Sequence, residues 1–194
     1  MKFTDVTRFE FRRFGDDFSV IRDRFAALGD GEKHPERRET YIVTRLNIDS
    51  NVKIRAGKLE AKVLRGRLQI LEQWARTLSA EFPVSVEDIE NLVIPPLGLD
   101  IEIGDGGALT ESALMAFVSG QRALAVVKVE KQRTLFNLGN CQAEFCKLRI
   151  GDDKLDTVSI ETPDAEAAFA VLNKVGLGDA ENQSYAEFLQ RRMF

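Results

Sequence analysis

The chain has 194 residues, 44% of them hydrophobic and 30% charged, so it can bury a sizeable core and is not of the disordered type. Its net charge of -4 argues against a general DNA-binding protein, which needs a basic surplus for its phosphate contacts. The sequence shows neither a secretion signal nor an apolar run of membrane-spanning length. We therefore expect a cytoplasmic protein that binds neither DNA nor membranes, in which any anion site is a local concentration of cations.

The cysteines and the single histidine do not indicate a disulfide or a zinc site. Cys141 and Cys146 are five residues apart, which places them on opposite faces of a strand. His34 lies in a charged segment without a second imidazole. We interpret it as a loop residue.

The chain begins with patterns typical of strands and one helix. Residues 8–15, RFEFRRFG, alternate aromatic and charged side chains, which predicts a strand. Residues 16–29 show helical spacing, and a charged loop is expected from there to about Glu39. Three antiparallel strands are predicted over residues 40–66, separated by tight turns.

The next segment, residues 68–82, changes to a helical period. A helix is predicted there, ended by Pro83, with Trp74 as a core residue on its apolar flank. The helix prediction rests on the spacing of Leu68, Leu71, Ala75 and Leu78.

The predicted layout of the chain is roughly two-fold, with strands followed by helices and then strands followed by helices again. Short helices are predicted after Ser85 and over residues 109–120. Residues 122–137 predict one long strand or two joined by a bend, and two further strands follow over 141–151 and 155–162.

Two helices are predicted at the end of the chain. Thr162 is the expected cap of the first, with Pro163 at its first position, and Ser184 with Glu187 forms a capping box for the second. Together the elements predict one α+β domain over residues 1–194, in which antiparallel strands curl into a barrel-like sheet with helices outside.

The polar faces of the predicted strands are unusually cationic for an acidic protein. By alternation they carry Glu10, Glu60 and Glu161 beside a larger set of cations, namely Arg8, Arg12, Lys53, Arg55, Lys58, Lys62, Lys131 and Arg133. Two interpretations are open. The faces can be the solvent side of an ordinary sheet. If the sheet instead closes with them inside, the cations repel one another unless an anion such as a polyphosphate neutralises them.

Several segments, taken in order, resemble the CYTH family, also called triphosphate tunnel metalloenzymes, over nearly the whole chain. FEFRRFG is similar to its opening E-x-E-x-K strand, and the next segments resemble its paired-cation, K-x-R and E-x-E strands and its closing Ser-Tyr helix. These segments are VKIRAGKLEAKVL, VEKQRTLF, TVSIE and NQSYAEFLQ. The resemblance implies a closed antiparallel barrel or tunnel of roughly eight strands with helices packed outside.

The resemblance also implies site residues. Glu10, Glu144 and Glu161 would be catalytic, and Glu10 and Glu161 would coordinate Mg²⁺ or Mn²⁺. The residues expected to bind a triphosphate or polyphosphate ligand are Arg8, Arg12, Lys53, Arg55, Lys62, Lys131 and Arg133.

The chain departs from the family pattern at the metal-binding positions. Arg8 stands where the family has its first glutamate, Arg12 where it has a lysine, and Ser159 where it has one of the two late glutamates. The resemblance implies a metal-dependent triphosphate phosphohydrolase, or an enzyme that cyclises a nucleotide. A binding module that holds a nucleotide or polyanion without hydrolysis is the alternative, and a protein-interaction domain is a third possibility.

Overall fold

The computed structural model of the protein describes residues 7–104 and 106–194. The helices are α1 (Ser19–Leu28), α2 (Val86–Leu92), α3 (Glu111–Ser119), α4 (Ala165–Lys174) and α5 (Tyr185–Met193), with a 3₁₀ turn at Pro95–Leu97. The strands are β1 (Thr7–Gly15), β2 (Gly31–Lys33), β3 (Arg37–Thr44), β4 (Ser50–Arg55), β5 (Lys58–Leu68), β6 (Leu71–Glu81), β7 (Val84–Ser85), β8 (Ala108–Leu109), β9 (Leu124–Leu138), β10 (Cys141–Ile150) and β11 (Asp153–Thr162).

Eight of these strands form a closed antiparallel barrel, as the resemblance implied. They follow one another in the order β10, β11, β1, β6, β5, β4, β3 and β9, and the pairing of β9 with β10 completes the circle. Closure removes the unpaired edges that an open sheet would expose. It also sends one face of every strand into the interior.

The outer face of the barrel is apolar and is covered by helices. Phe11 on β1 and Ile160 on β11 pack in one cluster with residues of α1 and α4. On the opposite side Leu59 and Leu78 pack in a second cluster with residues of α2 and α3. The phenylalanine side of β1 therefore faces the helices, and its charged side faces the barrel interior. Among the described residues, no helix is long and apolar enough to span a membrane.

A third apolar cluster fills one end of the barrel interior. Val43, Val127 and Leu148 contribute to it from β3, β9 and β10, and Tyr185 and Leu189 contribute from α5. The helix packs against β3 and β4, so the interior is blocked at this end. The rest of the interior is polar, and we refer to the blocked side as the closed end.

The segment predicted as a helix over residues 68–82 is instead strand β6, and this prediction was wrong. The pairing of β5 with β6 shifts at Thr77. Leu78 pairs with Ala61 and Arg76 pairs with Lys62, so Thr77 is an extra residue on β6. A bulge of this kind reverses the alternation of faces beyond it. Leu71, Ala75 and Leu78 are all buried, and with the bulge all three face outward, which mimics the four- and three-residue spacing of a helix.

Two smaller predictions also need correction. Strand β3 begins at Arg37, so Glu39 belongs to a strand and not to the charged loop. Asp164, not Thr162, caps α4 by accepting hydrogen bonds from two backbone N–H groups, and the helix begins at Ala165. The cap of α5 is confirmed, because Ser184 Oγ accepts from the backbone N–H of Glu187.

Candidate functional site

The barrel interior contains a cavity of about 760 Å³. A volume of this size matches the pockets that hold small-molecule ligands. All ten residues that the sequence suggested as site residues line it, which are Arg8, Glu10, Arg12, Lys53, Arg55, Lys62, Lys131, Arg133, Glu144 and Glu161. They come from strands β1, β4, β5, β9, β10 and β11, and barrel closure brings them together.

The cavity wall carries an excess of positive charge although the whole chain is acidic. Nine cationic side chains line it beside five carboxylates, since Arg37 and Arg76 join the seven predicted cations and Glu60 and Glu72 join the predicted acids. Arg76 has no carboxylate partner among the residues that the structure describes. The enclosed walls keep water from screening this field fully, so the cavity attracts anions.

Glu39 is the centre of a buried charge cluster next to the closed end. Its side chain is 0% exposed, and Oε2 accepts from Lys131 Nζ at 2.7 Å, from Tyr41 OH at 2.8 Å and from Lys53 Nζ at 3.2 Å. Oε1 lies 2.7 Å from a terminal nitrogen of Arg37. Burial would raise the pKa of Glu39, but the charges of Lys131, Lys53 and Arg37 outweigh it and hold the pKa well below its usual range. The carboxylate therefore stays ionised and fixes two lysines at the cavity wall.

Among the basic groups of this cluster, Lys131 has the most strongly lowered pKa. Its side chain is 3% exposed and its Nζ also donates to Tyr41 OH at 2.8 Å. Burial lowers the pKa of Lys131 to about 7, against the attraction of Glu39 and with help from the positive charge of Lys53. The positive charge of Lys131 therefore titrates near neutral pH.

A second cluster joins Arg12 and Arg133 through Glu144. Glu144 pairs with Arg133 Nε and lies 3.4 Å from Arg12 Nη1. Burial would raise the pKa of Glu144, but the two guanidinium groups lower it to about 2. Arg12 Nη2 donates to Ser159 Oγ at 2.9 Å. Ser159 thus helps to hold an arginine at the cavity wall.

Glu10 and Glu161 lie directly opposite each other on the neighbouring strands β1 and β11. Side chains at such paired positions are close enough to share one cation. In the structure each is paired with a basic group, Glu10 with Lys62 and Glu161 with Arg8, whose Nε lies 3.4 Å from Oε1. The described residues contain no group of three or more acidic, histidine or cysteine side chains placed to hold a metal. The pair fits a metal that is shared with ligand phosphates, and it does not fit a site built from protein alone.

Sequence reasoning missed several cavity residues for two reasons. Glu72, Trp74 and Arg76 were hidden by the wrong helix prediction, although the polar residues at 72, 76 and 79 follow strand alternation once the bulge is counted. Tyr41 was left unassigned on its strand. Glu39 is not part of the lining but pairs with two lysines that are. It was placed in a loop, and only its alternation with Arg37 and Tyr41 could have identified it.

No protein-family model matches the chain, and no curated protein sequence matches it. Solved structures do match it along its length. A candidate adenylate cyclase from Bacillus halodurans aligns with a TM-score of 0.53 at 10% identity, covering 97% of this chain and 98% of that one. A candidate adenylyl cyclase from Hippeastrum with a dominant triphosphatase activity aligns with a TM-score of 0.52 at 13% identity, covering 95% of both chains.

The triphosphatase of the Mimivirus capping enzyme aligns with a TM-score of 0.51 at 7% identity, covering 89% of this chain and 90% of that one. These matches confirm the resemblance in fold that the sequence predicted. What this chain shares with the three proteins is the CYTH-type tunnel fold.

Proposed function

We propose that the protein binds a triphosphate or polyphosphate ligand in its cavity and hydrolyses it with the help of a divalent metal ion. The observation that carries the proposal is the convergence of nine cationic side chains on one enclosed cavity in a chain of net charge -4. Such a concentration of like charge is stabilised when a polyanion neutralises it. Two of the three structural matches described above are named for, or show, triphosphatase activity, which supports the same ligand class.

The cations divide into two proposed roles. Lys53, Lys131 and Lys62 act as point charges along the phosphate chain. Arg55 and Arg133 present planar guanidinium groups, each oriented by a carboxylate, that bind phosphate oxygens through two hydrogen bonds and stabilise the charge of the transition state. The terminal nitrogens of Arg12 already donate to Glu144 and Ser159, so Arg12 contributes its charge. Arg8, which is half exposed, contacts the ligand at the open side of the cavity.

The carboxylates also divide into two roles. A bound Mg²⁺ or Mn²⁺ would supply positive charge to the bridging phosphates, with Glu10 and Glu161 as its protein ligands. In hydrolysis a water oxygen bonds to the terminal phosphorus, the bond to the bridging oxygen breaks and the water proton leaves to solvent. Glu10 or Glu161 orients that water. Glu144 is a weak proton acceptor at a pKa of about 2, so its role is to hold Arg12 and Arg133.

A second function, binding without hydrolysis, is favoured by one observation. Arg8 lies 3.4 Å from Glu161, which places a cation at one of the two expected metal ligands. A positive side chain there repels the metal that hydrolysis needs. The same cations would still hold a polyanion, as in a protein that stores or senses nucleotides or polyphosphate.

A phosphate-release screen tests the proposal. Tripolyphosphate, thiamine triphosphate and ATP are each incubated with the full chain in Mg²⁺, in Mn²⁺ and in EDTA. Release of phosphate that depends on metal supports the enzyme, and we expect Glu10→Gln and Glu161→Gln to lower the rate about a hundredfold or more. Glu81→Gln is the matched control, because Glu81 also pairs with a lysine, Lys58, but is exposed and outside the cavity lining, and this variant should retain the wild-type rate.

The same mixtures are followed by thermal unfolding to separate the two functions. A rise of the unfolding midpoint with tripolyphosphate but no phosphate release supports the binding module. If phosphate is not released and the unfolding midpoint does not rise, the proposed function is contradicted in both forms.

A further inference from the structure

Strand β1 has a neighbouring strand on only one side where it carries Arg12. It pairs with β11 as far as Gly15, but with β6 only over Thr7–Glu10, because β6 begins at Leu71. Beyond Glu10, the backbone groups on the β6 side of β1 therefore have no strand partner in the described part of the chain. Backbone N–H and C=O groups inside a protein then need a partner of another kind.

Residues 182 and 183, which lead into α5, take the place of the missing strand. Asn182 Oδ1 accepts from the backbone N–H of Arg12 at 2.8 Å, and Asn182 Nδ2 donates to the carbonyl oxygen of Glu10 at 3.3 Å. The backbone N–H of Gln183 donates to the Arg12 carbonyl at 2.8 Å. Asparagine suits this position because its short side chain carries both a donor and an acceptor.

The two residues that the Asn182 amide joins both belong to the cavity wall. Glu10 and Arg12 are alternate residues of β1, so their side chains share its inward face, and both line the cavity, as Asn182 does. Glu10 pairs with Lys62, and Arg12 pairs with Glu144. A shift of β1 at this point would therefore move two ion pairs of the cavity wall together.

We propose that Asn182 is a positioning residue, whose amide fixes the backbone of β1 so that Glu10 and Arg12 stay in place for the phosphate ligand. This inference rests on the proposed function and adds to it a residue that acts through β1. A binding site must hold its side chains to within about 0.5 Å, and the residues behind them supply that support. The effect of Asn182 on the ligand passes through Glu10 and Arg12.

Asn182→Ala tests the proposal because it removes both side-chain bonds to β1. Tripolyphosphate binding is measured by calorimetry in EDTA on the wild type and the variant. We expect the dissociation constant to rise about fivefold or more, because Glu10 and Arg12 are no longer fixed. If it stays within about twofold of wild type, the positioning role is refuted while the proposed function stands. If the wild type itself does not bind tripolyphosphate, the proposed function fails and this inference fails with it.

Asn47→Ala is the matched control. The Asn47 amide also bonds two backbone groups, since Nδ2 donates to the Pro96 carbonyl at 3.0 Å and Oδ1 accepts from the N–H of Asp49 at 3.1 Å. Asn47 is outside the cavity lining. Its loss should lower the unfolding midpoint, as the loss of Asn182 does, and leave the affinity unchanged. An equal loss of affinity in both variants would overturn the inference, because a general loss of stability would then explain it.

Hydrogen exchange of the wild type tests the same role without a variant. If the bond from the Arg12 N–H to Asn182 favours tripolyphosphate binding, bound tripolyphosphate must favour that bond by the same factor. The Arg12 N–H should therefore exchange about fivefold more slowly in the complex, beyond any change at the Asp49 N–H, which bonds Asn47. Equal changes at the two N–H groups would contradict the positioning role.

Discussion

At the scale of single residues, Lys131 is the group whose charge changes in the physiological range. Glu39 and Tyr41 contact it directly, and Lys53, Glu144 and Arg12 act on it through their charges. Its pKa of about 7 means that it is half charged in the free protein at neutral pH. A bound polyanion favours the charged form and raises this pKa, so binding above pH 7 must take up a proton.

This proton uptake predicts that the affinity for a polyanion falls as pH rises. Between pH 6 and pH 8 the affinity of the wild type for tripolyphosphate should fall by about tenfold from Lys131 alone, because each unit above the free pKa costs a factor of ten. Lys131→Met lacks this contribution and leaves Glu39 paired with Lys53 and Arg37. The affinities of both proteins are measured by calorimetry across this pH range. Because the ligand is the same, its own protonation affects both affinities equally and drops out of their ratio. The affinity of the wild type relative to that of Lys131→Met should decrease as pH rises. If this ratio stays constant between pH 6 and pH 8, the role of Lys131 is refuted.

Residue-level prediction from the sequence succeeded where charges alternate cleanly. Lys53 with Arg55 and Lys131 with Arg133 stand two apart on regular strands, so their common face was readable, and all four line the cavity. Glu39 was not readable, because the charged residues before it are typical of a loop. Its importance comes from partners on β4 and β9 that are distant in sequence.

At the scale of elements, α5 matters because it begins at the cavity and presents Tyr185 there. Asn182, just before it, accepts from the backbone N–H of Arg12 at 2.8 Å, and Gln183 donates to the Arg12 carbonyl at the same distance. The start of the helix is therefore tied to β1 beside a predicted phosphate-binding arginine. Ser184 fixes that start as the N-cap.

Ser184→Ala should affect both stability and binding. Loss of an N-cap hydrogen bond costs about 1 kcal/mol of unfolding free energy, which urea denaturation measures. Because the helix start lines the cavity and the ring of Tyr185 lies against the Arg12 guanidinium, tripolyphosphate affinity should fall several-fold as well. Thr110→Ala removes the equivalent cap of α3, which is outside the cavity lining, and should lower stability by a similar amount without changing affinity. Equal affinity of both variants and wild type would contradict the positioning role of the cap.

The element that sequence reasoning misassigned shows why period alone can fail. A single bulge at Thr77 changes a two-residue alternation into a spacing of four and three, which a helix also gives. The pairing with β5 and β1 decides the matter, and that pairing depends on residues elsewhere in the chain. Because a bulge leaves no reliable signature in the local sequence, the spacing of residues 68–82 could not distinguish a bulged strand from a helix.

At the scale of the whole molecule, closure of the sheet decides where the charges lie. Alternation predicted one polar and one apolar face for each strand, but an open sheet would leave the polar faces in water. The pairing of β9 with β10 places them inside, while α1 to α4 cover the apolar face. The resemblance to a tunnel family supplied this closure in advance. Strand alternation alone left both arrangements open.

The most direct test of the account is calorimetric titration of tripolyphosphate in EDTA into the wild type and two double variants. Arg55→Ala with Arg133→Ala removes two cavity cations, while Glu60 keeps Lys53 and Glu144 keeps Arg12 as partners, so the fold should persist. Arg38→Ala with Arg149→Ala removes two exposed arginines that pair with Glu130 and lie outside the cavity lining. We predict a loss of affinity of about a hundredfold or more for the first variant and of less than about threefold for the second. Unchanged affinity of the cavity variant would contradict the central claim that converging cations of the barrel interior bind the ligand.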